Sequence, residues 1–192
     1  MDNGIVIDGH FMRDAKRDLT NESGELYKIL FWIESNCKFA MSTDLETAWE
    51  SKIGCKADSL DIIWCWYENL LINNKINFVS PVKTSNKCKN HIRKNLGLTS
   101  PGDIYKYFDC ANATIAPRYI LSEDIDMHEP RARSYSSKNI KQLMDDRSGV
   151  LCRYVYEEIN IRIGTRQDLI VHFNISRGDC DNGCNNQCPR KS

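Results

Sequence analysis

Two apolar runs of this chain end in carboxylates. Ile5-Val6-Ile7 delivers Asp8, and Tyr119-Ile120-Leu121 delivers Ser122, Glu123, Asp124 and Asp126. Short continuous apolar runs of this kind read as strands buried on both faces of an α/β sheet. Ligands of such sheets bind beyond the carboxyl ends of the strands, where these acids would sit. Clustered carboxylates repel one another unless a positive charge neutralises them, and a divalent cation is the usual solution. The chemistry this predicts is metal-dependent cleavage of a phosphodiester.

The elements that must position these acids can be read from periodicity. After the first strand, Leu26, Ile29, Leu30 and Ile33 recur at helical spacing, predicting a helix over 24–34. Cys37 to Met41 reads as a second strand, and Ser42-Thr43-Asp44 as the start of a short helix that ends near Gly54. Leu60, Ile63, Trp64, Tyr67, Leu70 and Leu71 predict a further helix, and Ile76 to Val79 a strand stopped by Pro81. Ser100-Pro101-Gly102-Asp103 has the form of a capping box that opens a helix reaching about Ala113. Ser137 to Asp145 predicts one more helix. Beyond Gly149, Ile159, Ile161 and Ile163 alternate with polar residues, as do Leu169, Val171 and Phe173 after Gly164-Thr165-Arg166-Gln167. That pattern predicts a β-hairpin.

With strands and acids in this order, the chain over about residues 4–145 resembles the PIN-like nuclease superfamily, which includes the PIN and NYN families. Ile5-Val6-Ile7-Asp8-Gly9 is similar to their first-strand signature, the Asp-Gly pair to that of NYN domains in particular. Asp103, opening a helix that contains Ala111, resembles the third acid of PIN domains. Ser122-Glu123-Asp124-Ile125-Asp126-Met127 resembles their Thr/Ser-x-Asp-x-Asp-Phe motif, with Met127 for the aromatic residue. The resemblance implies a three-layer α/β/α fold around a mainly parallel sheet and a Mg2+- or Mn2+-dependent endoribonuclease, a toxin or an RNA-processing enzyme. It implies Asp8, Asp103 and Asp124 as metal ligands, with Asp126 and one of Glu46 or Asp44 completing the shell. For that second acid the commonest register lands on Ala48, and Glu50 is a further competitor. Where family members carry Asn or Thr after the first acid, this chain has Gly9 and His10, and His10 can supply the same hydrogen bond.

The fold expected is therefore a PIN-like α/β domain over 1–149, a hairpin extension over 150–176 and a Cys- and Asn-rich polar tail over 177–192. Alternatives to RNA cleavage are a nuclease acting on DNA and a PIN-like module that binds RNA or protein without cutting. Lys87, Lys89, Arg93 and Lys94, in an acid-free stretch from Lys83, together with Arg131 and Arg133, are the expected contacts to a single-stranded RNA backbone. Tyr105, Tyr107 and Tyr135 are candidate stacking residues. The hairpin is the expected edge for a protein partner or a second copy of the chain.

Composition sets the bounds. The 192 residues carry 26 Lys plus Arg and 26 Asp plus Glu, so any attraction for a polyanion must come from local patches. Apolar and charged fractions of 41% and 27% are those of a globular domain. No stretch approaches the roughly 18 apolar residues of a membrane helix, and Met1-Asp2-Asn3-Gly4 is unlike a signal peptide. A cytoplasmic location is expected, with the nine cysteines reduced. Cys180, Cys184 and Cys188 are regularly spaced but lack the fourth partner of a zinc site.

Overall fold

Each strand is short and pairs within one parallel sheet, the central ones on both sides and the outer ones at an edge. The computed structural model describes residues 4–20, 25–54, 61–132 and 136–173. The strands are β1 (Ile5–Ile7), β2 (Phe39–Met41), β3 (Ile76–Phe78), β4 (Arg118–Leu121) and β5 (Ile161–Gly164), and every pairing is parallel. Their order across the sheet is β3-β2-β1-β4-β5. Ile5, Val6 and Ile7 are all buried, which is why the central strand reads as an unbroken apolar run. The helices are α1 (Gly9–Thr20), α2 (Glu25–Asn36), α3 (Thr43–Ile53), α4 (Ile62–Ile72), α5 (Asn86–Asn95), α6 (Ile104–Asn112), α7 (Ile125–His128), α8 (Ser137–Asp145), α9 (Val150–Ile159) and α10 (Arg166–Phe173). A parallel sheet alternating with helices agrees with the α/β class and is consistent with three layers. No helix among the described residues is long and apolar enough to cross a membrane.

The strand order decides where a ligand can enter. From β1 the chain steps outward one way through β2 and β3, then crosses to the other side for β4 and β5. The connections leaving β1 and β4 therefore diverge, and a crevice opens beyond the carboxyl ends of these two strands. Ile5 pairs with Tyr119 and Ile7 with Leu121, so the residues that follow, Asp8 and Ser122, start level.

Side chains fix this frame. Trp49 on α3 is buried and donates its indole N–H to the Ile7 carbonyl at 2.8 Å, tying α3 to the end of β1. Trp49, Trp64 and Tyr67 meet edge to face around one another. Each such ring contributes about 1.5–3 kcal/mol by its burial. Ser42, Asp61 and Ser85 cap α3, α4 and α5 through bonds to Leu45, Ile63 and Cys88 N–H.

The sequence expectations corrected here are the hairpin, with its status as an extension, and the capping role of Ser100. Residues 159–175 do not form a hairpin: Ile159 ends α9, β5 joins β4 in parallel with Ile163 opposite Ile120, and a helix follows. Thr165 and Asp168 make a reciprocal cap, Thr165 N–H donating to Asp168 Oδ2 at 2.8 Å and Asp168 N–H to Thr165 Oγ1 at 3.4 Å. That cap starts α10, which buries Leu169 and leaves Val171 exposed, so their apparent alternation is a helical one. Residues 150–173 thus complete the sheet instead of extending it. Likewise, Ser100 caps nothing: α6 begins after Asp103, whose carboxylate makes no cap bond. The stretch from Lys83 contains a helix, α5, buried only through Cys88 and Ile92. The charged segment after Asp8, to which the sequence assigned no element, is α1, packed through Phe11, Met12 and Ala15. The tail over 177–192, with Cys180, Cys184 and Cys188, and Arg133 and Tyr135 lie outside the described residues. Cys37, Cys88, Cys110 and Cys152 are free thiols.

Candidate metal centre

At the end of β1, Asp8 is 1% exposed. Its backbone N–H donates to the Leu121 carbonyl at 2.9 Å, continuing the β1–β4 pairing past the last strand residue. Its carboxylate is oriented from both sides. Oδ1 accepts from the His10 N–H at 3.1 Å, in the first turn of α1, and Oδ2 accepts from the Ser122 hydroxyl at 2.7 Å. Ser122 Oγ also accepts from the Asp124 N–H at 3.0 Å, and Asp124 Oδ1 from the Asp126 N–H at 3.0 Å. The Ser-x-Asp-x-Asp run is therefore a chain of short side-chain-to-backbone bonds that folds the end of β4 back toward Asp8.

His10 stands between the two acids. Its Nδ1 is 3.1 Å from Asp124 Oδ2 and 3.6 Å from Asp8 Oδ1. Hydrogen bonds to Asp124 and then Asp8 push the imidazole up to about 9, so it is an imidazolium at neutral pH. Burial pushes the Asp124 carboxyl up, but the bonds from His10 and the Asp126 N–H outweigh it, and the net direction is down. One ligand atom each from Asp8, His10 and Asp124 lies within 4.8 Å of the others. Two carboxylates and one imidazole suit Mn2+, and the carboxylates alone suit Mg2+. The His10 proton is the counter-charge that an ion would replace.

The expected acids divide into those that meet and those that do not. Asp8, Asp103, Asp124 and Asp126 line one cavity of about 160 Å³, with His10, Lys52 and Tyr107. Asp103 Oδ1 is also 2.8 Å from Lys106 Nζ. Glu46 is not in the cavity lining; burial, then the Glu46 charge, push the Tyr67 phenol upward. Asp44 is exposed and lies 3.7 Å from Lys83, while Ala48 is packed in the core. Glu50 is absent from the lining too. Helix α3 buries Leu45, Ala48 and Trp49, and the stripe through Ala48 continues one turn on to Lys52. Lys52 thus lines the cavity that Glu46, Asp44 and Glu50 do not.

Lys52 and Tyr107 carry roles that sequence reasoning did not assign. Tyr107 is 2% exposed and its hydroxyl accepts from the Gly9 N–H at 2.9 Å. Burial, then the Asp8 charge, push its phenol upward, so it stays a neutral donor beside Asp8. A Cβ at Gly9 would stand 3.0 Å from both Lys52 Cγ and Tyr107 Oη, so the glycine lets both approach. The signal for Tyr107 was its position four residues after Asp103, on the same face of α6. His128 is fully buried with Nε2 3.1 Å from the Ser122 carbonyl, which props the turn from behind. Burial pushes its imidazole down.

Of the expected phosphate contacts, Lys87, Arg93 and Lys94 project from α5 into solvent, and Lys89 lies over the Tyr105 ring at 5.1 Å. Helix α5 leads through Gly97 and Leu98 into Ser100–Gly102, which line the acidic cavity. Arg131 is half exposed, with Nε 3.0 Å from Glu129 Oε1. Comparison of the chain with protein-family models, curated proteins and solved structures returns no match.

Proposed function

We propose that the chain is a metal-dependent nuclease that hydrolyses phosphodiester bonds of RNA, a reading in keeping with its resemblance to PIN-like domains. One observation carries it: the carboxylates of Asp8 and Asp124 converge in the crevice of a parallel sheet, in a cavity they share with Asp103 and Asp126. Asp8 and Asp124 would hold Mg2+ or Mn2+, with His10 Nδ1 as a further donor once deprotonated and Asp103 across the cavity. A divalent ion bound there supplies Lewis acidity toward the phosphate and lowers the pKa of water. Ser122 and Tyr107 orient Asp8, and the Asp126 N–H orients Asp124. Lys52 offers a positive charge to the non-bridging phosphate oxygens, and Lys87, Lys89, Arg93 and Lys94 hold the strand as it approaches.

The test is degradation of a generic single-stranded RNA with Mg2+ or Mn2+, beside single-stranded DNA, for wild type, Asp8→Asn and Asp124→Asn. Cleavage by wild type only, abolished by EDTA, is the expected result. A second reading rests on His10, whose imidazolium offsets one of the two acidic charges, and on Lys52 lining the cavity that Glu46 and Asp44 do not. In that reading the domain binds RNA without cutting it. Retention of RNA with no cleavage in either metal would select it.

A further inference from the structure

A second cavity, basic instead of acidic, lies at the β5 edge of the sheet. Arg147, Cys152, Arg153, Tyr156 and Arg162 line about 140 Å³ of space that shares no residue with the acidic cavity. Arg162, on β5, has its guanidinium 5.5 Å from the Tyr156 ring centre and 5.8 Å from that of Tyr119. The two rings fix its position. Arg153, on α9, is exposed and makes no ion pair among the described residues. Arg147 Nε is 3.3 Å from Asp168 Oδ1, and the other oxygen of Asp168 is taken by the Thr165 N–H. Of the three guanidinium groups, only that of Arg147 has a carboxylate partner among the described residues, which leaves the charges of Arg153 and Arg162 with none.

The backbone at Arg147 points the same way. Its N–H donates to Met144 O at 3.1 Å and the Ser148 N–H to Leu143 O at 3.0 Å, the pattern that closes a helix through a left-handed residue. Glycine usually takes that position, yet here an arginine adopts φ of 51°. The strain keeps a guanidinium at the cavity that a glycine would remove.

We propose that Arg147, Arg153 and Arg162 form a phosphoryl-binding site, taking the phosphate of a nucleotide or of a nucleic-acid strand, with Tyr156 beside it. Guanidinium forks match phosphate oxygens in pairs, and neutralising the surplus charge is the driving force. This goes beyond the nuclease reading and uses none of the acidic cavity.

Calorimetric titration of the full chain in EDTA tests it, with inorganic phosphate, adenosine 5′-monophosphate and a short single-stranded RNA as probes. At least one probe is expected to bind, and Arg153→Gln and Arg147→Gly are each expected to weaken it about tenfold or more. Arg147→Gly removes strain together with charge, so its melting temperature should hold while binding falls. A merely structural role predicts no such separation. Binding of the small probes identifies a free phosphoryl ligand. Binding of RNA alone, with the log–log salt slope lowered by about 0.7 per lost contact, identifies a strand. No binding of any probe, or binding that both variants leave unchanged, overturns the site. Because EDTA is present throughout, a failure of metal-dependent cleavage leaves this result intact, and the reverse holds.

Discussion

The Ser122 hydroxyl donates to Asp8 Oδ2 at 2.7 Å across the junction of β4 and β1, two segments 114 residues apart in the chain. A fully buried serine thus decides how a nearly fully buried carboxylate faces the crevice. Ser122→Ala leaves Asp8 short of a donor, and hydrogen bonds to charged groups contribute about 1.5–3 kcal/mol. We expect a loss of stability of that order. Mn2+ affinity should drop about tenfold, as for other residues that orient a ligand. Thermal melting and a metal titration check both, and a variant that binds Mn2+ as wild type does would remove Ser122 from the site's support.

The pH dependence of the metal-free protein follows from His10. Its folded imidazole is held up to about 9, above the ordinary 6.5, so the folded state binds this proton more tightly than the unfolded chain. The contribution is full below about pH 6.5 and is lost as the pH rises through about 9. For Asp124, held below the ordinary 3.8, the contribution is present above that value and is lost as the pH falls. Melting temperature in EDTA should therefore decline between pH 7 and 10, by on the order of 2 kcal/mol in stability. His10→Gln should flatten the decline; an identical slope in that variant would place the titration elsewhere.

Asp8→Asn need not stabilise the empty protein. The sequence suggests that removing one of several crowded acids relieves repulsion, but the His10 imidazolium already offsets it at 3.1 Å from Asp124 and 3.6 Å from Asp8. We expect a small loss of stability in Asp8→Asn. The His10 imidazole stays raised there, because Asp124, its larger partner, remains. A histidine titration followed by NMR distinguishes this from Asp124→Asn, in which it should move back toward the ordinary value.

Gly149 has no room for a side chain, since a Cβ would overlap the His128 carbonyl. The neighbouring Glu129 accepts the Val150 N–H at 3.3 Å, so α9 starts directly against the end of α7. Gly149→Ala should cost about 3 kcal/mol or more by overpacking against backbone, read by denaturant unfolding. A chain ended at Gly149 should fail to fold at all, because Leu151, Val155, Ile161 and Ile163 are core residues. A cooperative melt of that fragment would restore residues 150–173 to the status of an appendage.

Reversing Lys87 and Lys94 to Glu should weaken RNA binding and lower the salt slope by about 1.4, roughly 0.7 for each contact. Both side chains are exposed on α5, so folding should be unaffected. An unchanged slope would leave α5 as a solvated face.

The sequence was most legible where burial is two-sided. Ile5–Ile7 and Tyr119–Leu121 had to be strands, and the acids at their ends had to lie close once the strands paired. It was least legible where polar residues hold an element. Helix α1 carries Arg13, Asp14, Lys16, Arg17 and Asp18 around three core contacts, so its period is hidden by charge. Helix α10 announced itself only through Thr165 and Asp168, a cap easily read as a turn. The second acid failed for a different reason. The rotation of α3 is set by Trp49 bonding the Ile7 carbonyl, a contact across 42 residues that no local pattern records.

Helices α1 and α6 both begin at the acidic cavity, after Asp8 and Asp103. Each helix start carries about half a positive charge from its aligned peptide dipoles. Four carboxylates there face His10, Lys52 and these two helix ends, so the potential is far less negative than the acids suggest. The consequence is a balance of affinities. A divalent cation meets less attraction than four free aspartates would give, and an incoming phosphodiester meets less repulsion.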